Sequence, residues 1–178
     1  MKEEELIERC VKGDQKAMNF LYRYYAPRMR GICFRYVRTV FEVDDILQEA
    51  FIKVFLKIGS YNRQGAFEGW IRRIVINTAI NYYKSNLSFG RQVQLDEVGE
   101  NEAGIVEIAE KISINELCSL INELPSGYRF VFNMFAIDGY SHKEIAEILN
   151  ITESTSRSQY TRARRQLISL LEQYNYVS

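Results

Sequence analysis

The segment from Ser141 to Thr152 leaves its backbone few choices. Ser141 stands one place before a short run with Ile145, Ala146, Ile148 and Leu149 at helical spacing, and a Ser in that position accepts hydrogen bonds from the free N–H groups of a first turn. Asn150-Ile151 interrupts the run, Asn being tolerant of positive φ, and Thr152 then starts a second, longer helix at Glu153-Ser154-Thr155. Two helices separated by so short a turn must cross, which requires a small residue at the crossing, met by Ala146, and an apolar residue to seat the turn, met by Ile151. The pattern is that of a helix-turn-helix whose second helix exposes Arg157, Ser158, Thr161, Arg162 and Arg165. Residues 154–168 hold four arginines and no acid, a local patch suited to phosphate although the whole chain, with 23 basic and 23 acidic residues, is neutral.

Helical spacing continues upstream. Val43, Ile46, Leu47, Ala50, Phe51, Val54, Phe55 and Ile58 recur by threes and fours and predict one buried helix face, with Asp44, Asp45, Gln48, Glu49, Lys53 and Lys57 on the other. A second amphipathic helix is expected from Phe67 to Lys84, burying Phe67, Trp70, Ile71, Ile74, Val75 and Thr78. Its opposite face carries Arg72, Arg73, Asn77, Asn81 and Lys84, with Ile76 and Ile80 between them and no carboxylate. Leu6 to Val11 and Ala17 to Val40 also read as helices, with Asp14 as an N-cap. From Ile114 the pattern returns, breaks at Leu124-Pro125-Ser126-Gly127, and runs again from Tyr128 to Ile137 before Asp138-Gly139. With only 2 prolines and 10 glycines in 178 residues, a turn-rich β-fold is excluded, and the fold class expected is all-α.

Charge divides the chain. Residues 1–83 carry 14 Lys/Arg against 10 Asp/Glu, residues 84–127 carry 3 against 8, and residues 128–178 carry 6 against 5. Two small helical domains, residues 1–85 and 114–178, are therefore expected, joined by a flexible acidic linker over residues 86–113 in which helical pattern resumes weakly near Ile105. Cys10, Cys33 and Cys118 are odd in number and far apart, and with a single histidine they make neither a disulfide framework nor a zinc site; they are expected as reduced core residues. His142 is expected to be exposed in a first turn. No metal or other cofactor is expected. No apolar run reaches the length of a membrane span, and the acidic start Met1-Lys2-Glu3-Glu4-Glu5 is unlike a signal peptide, so the expected location is the cytoplasm.

Three motifs together resemble one family. Val43-Asp44-Asp45-Ile46-Leu47-Gln48-Glu49-Ala50-Phe51, then Gly65-Ala66-Phe67-Glu68-Gly69-Trp70-Ile71-Arg72-Arg73-Ile74 with Asn77, then Leu124-Pro125 and the helix-turn-helix ending Arg162-Ala163-Arg164 are similar to the extracytoplasmic-function (ECF) sigma factors. The resemblance spans nearly the whole chain. It implies a first domain, region 2, that binds core RNA polymerase and reads and melts the −10 promoter element, and a second, region 4, that reads the −35 element. By the same resemblance Asp45, Gln48 and Glu49 match positions that contact polymerase, and Arg72, Arg73, Asn77, Asn81 and Lys84 match the promoter-facing helix, where Arg and Lys hold phosphates and Asn can read a base edge. Tyr61, Asn62 and Arg63 correspond to the loop that receives a base flipped from the melting duplex. Thr155, Arg157, Ser158, Thr161, Arg162 and Arg165 form the −35 set. Ser154 stands where the family commonly has Gly, and Gln159 where an Arg often follows the Ser. An anti-sigma factor is implied as a further partner, and a position at the membrane only through it.

Two other readings carry different tests. Asp44, Asp45 and Glu49 share a helix face as an acid/base or metal cluster would, but no histidine or phosphate-binding loop converges on them. A repressor using only the helix-turn-helix would footprint a promoter without polymerase, whereas a sigma factor does so mainly as part of holoenzyme.

Overall fold

The computed structural model describes residues 2–86 and 113–174. The chain falls into two compact units, residues 1–89 and 90–178, and every regular element among the described residues is helical. The acidic linker and the weak pattern near Ile105 lie outside the described residues, apart from positions 86 and 113.

The first unit holds α1 (Glu3–Val11), α2 (Gln15–Cys33), α3 (Val40–Lys57), a 3₁₀ turn (Ile58–Ser60) and α4 (Phe67–Asn86). Asp14 caps α2, accepting from Lys16 N and Ala17 N at 2.9 and 3.2 Å. The helix expected to run on to Val40 stops at Cys33. Its residues Tyr36 and Val37 turn back into the core, at 0 and 3% exposure, with both amides bonded to the Cys33 carbonyl. Thr39 then opens α3 three residues earlier than the apolar spacing predicts. Its hydroxyl accepts from Glu42 N at 3.2 Å while the Glu42 carboxylate accepts from Thr39 N at 2.9 Å, a reciprocal cap written in the sequence as Thr39-Val40-Phe41-Glu42.

Both α2 and α3 pack on α4, and α3 packs on α2. This enclosure corrects the expected face of α4. Ile76 and Ile80, placed by periodicity among the basic residues, are each 1% exposed, because a helix flanked by two others buries a wider arc than one apolar stripe. Trp70 and Ile74, by contrast, are only half-buried. Phe67 is wholly buried and meets Tyr25 of α2, Tyr61 of the preceding loop and Trp70, with centroid separations of 5.8, 5.0 and 5.6 Å.

The second unit holds α5 (Ile114–Glu123), α6 (Ser126–Phe132), a π-helical turn (Asn133–Ile137), α7 (His142–Leu149) and α8 (Glu153–Gln173). Leu124 is extended, as the residue before Pro125 must be, and so separates α5 from α6. The π turn closes with Asp138 N on the Asn133 carbonyl at 2.9 Å, and Gly139 follows at φ +76°, a value open to glycine. Leu120, Ile121 and Leu124 of α5 and its C-cap pack with Phe132 against Ala163, Leu167 and Leu171 along one side of α8. His142 is not exposed as expected. It is 8% exposed, stacked on Phe135 with centroids 4.1 Å apart, because the π turn carries Phe135 over the start of α7.

Ser141 and Thr152 cap α7 and α8, and Asn150 ends α7 at φ +56°, ψ +49°. Since the left-handed conformation costs a β-branched residue about 1–2 kcal/mol or more, Asn150→Val should lower the unfolding free energy by that amount, while Asn150→Gly should leave it within about 0.5 kcal/mol. Thermal unfolding of the two variants beside the parent checks this.

Candidate partner and nucleic-acid interfaces

The outward face of α3 mixes acid with exposed hydrocarbon. Asp45 and Gln48 are exposed and engage no other side chain among the described residues, whereas Asp44 is paired with Arg30 of α2 and Glu49 accepts from Lys53 at 2.6 Å. Lys53 also reaches Thr78 Oγ1 of α4 at 3.4 Å, so Glu49 is the outer end of a chain that ties α3 to α4. Between these polar groups lie Phe41, Ile52 and Leu56, 83, 54 and 80% exposed, on the same arc as Asp45 and Gln48. An open groove runs beside them, lined by Tyr22, Asp44, Gln48, Phe51, Ile52 and Phe55. Sequence reasoning missed this apolar centre, although the signal existed: Phe41, Ile52 and Leu56 are the apolar residues of α3 that fall outside its core stripe.

The loop before α4 is closed on itself. The Tyr61 hydroxyl donates to the Gly65 carbonyl at 2.6 Å, and Asn62 Oδ1 accepts from Gln64 N at 3.1 Å. Arg63 sits at φ +59°, and its guanidinium reaches Glu8 of α1 at 3.4 Å. Asn62 and Arg63 are exposed, whereas Tyr61 is half-buried, tilted against Phe67 and Trp70. The loop therefore presents an amide and a guanidinium to solvent from an aromatic base.

Beyond it, Arg72, Arg73 and Asn81 are exposed, and Asn77 and Lys84 half-buried. Helical geometry gathers Arg73, Asn77, Asn81 and Lys84 into one stripe and sets Arg72 roughly 100° away from Arg73. The structure thus brings together four of the five residues of this set. Arg72 and Arg73 have no ion pair among the described residues. Asn77 Oδ1 is buried without a hydrogen-bond partner among them.

On α8, Ala163, Leu167 and Leu171 face the core, so the opposite arc holds Ser158, Arg162 and Arg165, with Thr161 at its edge and Arg157 nearer the flank. The hydroxyls there are already engaged. Thr155 Oγ1 lies 2.8 Å from Thr152 Oγ1, Ser158 donates to the Thr155 carbonyl at 3.0 Å, and Thr161 donates to the Arg157 carbonyl at 3.1 Å. Arg157 is bonded to Glu153 at 2.5 Å, and Arg164 lies over Tyr160, on the side away from Arg162. Gln159 packs against the start of α6, its amide oxygen 3.4 Å from where a Cβ on Gly127 would stand, so this departure from the family pattern points away from the exposed arc.

Comparison with known proteins decides between the readings. The family description "Sigma-70 region 2" matches residues 21–88, and "Sigma-70, region 4" matches residues 114–167. The chain is 35% identical over 173 residues to the ECF RNA polymerase sigma-E factor of Escherichia coli K12, spanning 89% of this chain and 88% of that protein. The chain belongs to the ECF RNA polymerase sigma factors. The sigma-E factor of Haemophilus influenzae is 30% identical over 179 residues, with 93% of each chain covered. In solved structures the fold of this sigma factor is similar to that of the sigma factor RpoE of Bartonella quintana, solved with the anti-sigma factor NepR (TM-score 0.54, 18% identity, 88% of this chain and 98% of that one). It is also similar to that of CnrH, solved with the cytosolic domain of CnrY (TM-score 0.51, 22% identity, 94% and 95%). As a sigma factor the chain acts in transcription initiation. Among the described residues no helix is long and apolar enough to cross a membrane, and no three metal-ligating side chains cluster.

The orphaned oxygen of Asn77 has a measurable cost. A buried unpaired carbonyl destabilises by about 1–3 kcal/mol, so Asn77→Leu should raise the melting temperature by several degrees. A calorimetric scan of the variant beside the parent tests this.

Proposed function

We propose that residues 1–85 bind core RNA polymerase through the outward face of α3 and open the −10 element with the loop and stripe of α4. Residues 114–178 read the −35 element with α8, and residues 86–113 link the two. The observation that carries this is the pairing, in one small unit, of an exposed apolar centre rimmed by Asp45, Gln48 and Glu49 with a carboxylate-free stripe of Arg, Asn and Lys. Exposed hydrocarbon with a charged rim suits a protein partner rich in Arg, and the stripe suits phosphates and base edges. The chain works without catalysis of its own, in the cytoplasm, and an anti-sigma factor competes for its polymerase-binding surface; the complex of RpoE with the anti-sigma factor NepR supports that control.

Within the unit, Asn62 and Arg63 are the groups that hold a base leaving the duplex, since both are exposed while Tyr61 is half-buried with its hydroxyl on the Gly65 carbonyl. Arg72 and Arg73 take phosphates, and Asn77 and Asn81 face the strand. On α8 the hydroxyls of Thr155, Ser158 and Thr161 serve as acceptors, and donation to bases falls to Arg162, with Arg165 and Arg157 on phosphates.

Reconstitution with core polymerase tests the first assignment. Ile52→Glu or Asp45→Arg should weaken assembly about 10- to 100-fold, the size expected for an anchor at an interface centre, with the melting temperature of the free protein unchanged. A variant that assembles as well as the parent removes this face from the interface.

The α8 assignment separates two arginines. A base-reading Arg contributes roughly 1–3 kcal/mol of discrimination, whereas a phosphate contact weakens all sequences alike and lowers the salt slope by about one unit. Arg162→Ala holoenzyme should lose preference at one −35 position, and Arg165→Ala should lose affinity uniformly. Binding to a panel of −35 variants at several salt concentrations distinguishes them, and uniform loss in Arg162→Ala would move the readout elsewhere.

A further inference from the structure

His142 is the first residue of α7 and Ser156 the fourth of α8, and the His142 Nδ1 lies 2.9 Å from Ser156 Oγ with both residues buried, at 8 and 0% exposure. This side-chain hydrogen bond joins the two helices of the helix-turn-helix directly. The imidazole is held on its other sides by Phe135, stacked at 4.1 Å and 12°, and by the edge of Tyr160 at 5.8 Å. Ser156 is followed at once by Arg157 and Ser158, so whatever fixes Ser156 fixes the turn that enters the groove.

We propose that His142 is a positioning residue for −35 recognition, holding the first turns of α8 in register through Ser156 only while its ring is neutral. The proposal rests on the promoter reading given above and adds a pH dependence to it. A neutral ring meets Ser156 Oγ at Nδ1 without bringing a charge into the buried site. A protonated ring carries a second N–H and a full charge into a site of aromatic rings, and the charged groups that face it from α8 are Arg157, which repels, and Glu153, which is already bonded to Arg157. Burial first, and Arg157 second, hold the imidazole below its ordinary value of 6.5, with Glu153 opposing. The sign follows from that depression. The contribution of the neutral ring is complete above pH 6.5 and is lost as the pH falls from there towards the lower folded value, where the ring protonates.

The test uses holoenzyme and two promoters that differ only in an intact or scrambled −35 element, with the ratio of their affinities measured from pH 7.5 to 5.5. For the parent this ratio should fall towards the acid end of the range, by up to about fivefold once the ring is protonated, the equivalent of one buried hydrogen bond. His142→Asn places an amide where Nδ1 stood and does not titrate, so its ratio should be close to the parent's at pH 7.5 and flat below. Ser156→Ala should show a ratio reduced about fivefold at pH 7.5 and little further change. Circular dichroism at each pH establishes that both variants are folded, and His142→Asn keeps the question decidable if removal of the ring unfolds the unit. A His142→Asn ratio that falls as the parent's does, or a Ser156→Ala ratio equal to the parent's throughout, overturns the proposal. Parent holoenzyme that binds both promoters equally at pH 7.5 instead overturns the promoter reading beneath it.

Discussion

The ring of Phe67 is the point on which the first unit turns. It is the first residue of α4 and fully buried, and it touches an aromatic of α2, one of the preceding loop and one a turn further along its own helix. Aromatic contacts of this kind are worth about 0.5–1.5 kcal/mol each beyond the area they bury, and replacing such a ring by Ala costs about 3–5 kcal/mol. More to the point, one side chain sets both the entry angle of α4 and the floor of the loop that ends at it. The loop can then be short and tightly bonded, because Tyr61 needs only to lean on that floor and reach the Gly65 carbonyl.

Around that hub the polar groups divide into those engaged within the fold and those left outward. Asp44 goes to Arg30, Glu49 to Lys53, Glu68 to Arg28, and the α8 hydroxyls to neighbouring oxygens. Asp45, Gln48, Arg72, Arg73 and Asn81 engage no other side chain among the described residues. Exposed ion pairs contribute little to stability, typically below about 1 kcal/mol, so the pairing acts chiefly to hold side chains in place. Each of these five stands at a position where the family resemblance expects a partner.

Much of this was legible in the chain. The caps at Asp14, Ser141 and Thr152 and the left-handed Asn150 follow from single residues acting on the backbone beside them, and the structure keeps each. What was lost depended on neighbours. Ile76 and Ile80 are buried because α2 and α3 both lie on α4, a fact about packing that one helix's periodicity cannot hold. His142 is buried because a π turn swings Phe135 over it, and nothing in Asn133 to Ile137 distinguishes that turn from an ordinary helical one. The end of α2 was misplaced for another reason: Thr39 and Glu42 form a cap that could have been read, but the apolar run across it looked continuous. The exposed Ile52 and Leu56 were overlooked in the same way, by fitting apolar residues to the core stripe and setting the remainder aside.

The cysteines bear on how such a factor can be governed. Cys10 and Cys33 are buried, at 2 and 0% exposure, and burial pushes both thiols up, Cys33 to about 12, so neither supplies the thiolate through which peroxides and disulfides react. Cys118, half-buried on α5, is the thiol within easier reach. Among the three thiols the one best placed for oxidation is therefore in the second unit, and the outward face of α3, which carries no cysteine, has no thiol chemistry of its own. A redox signal acting on that face of α3 would have to arrive through Cys118 or through another molecule.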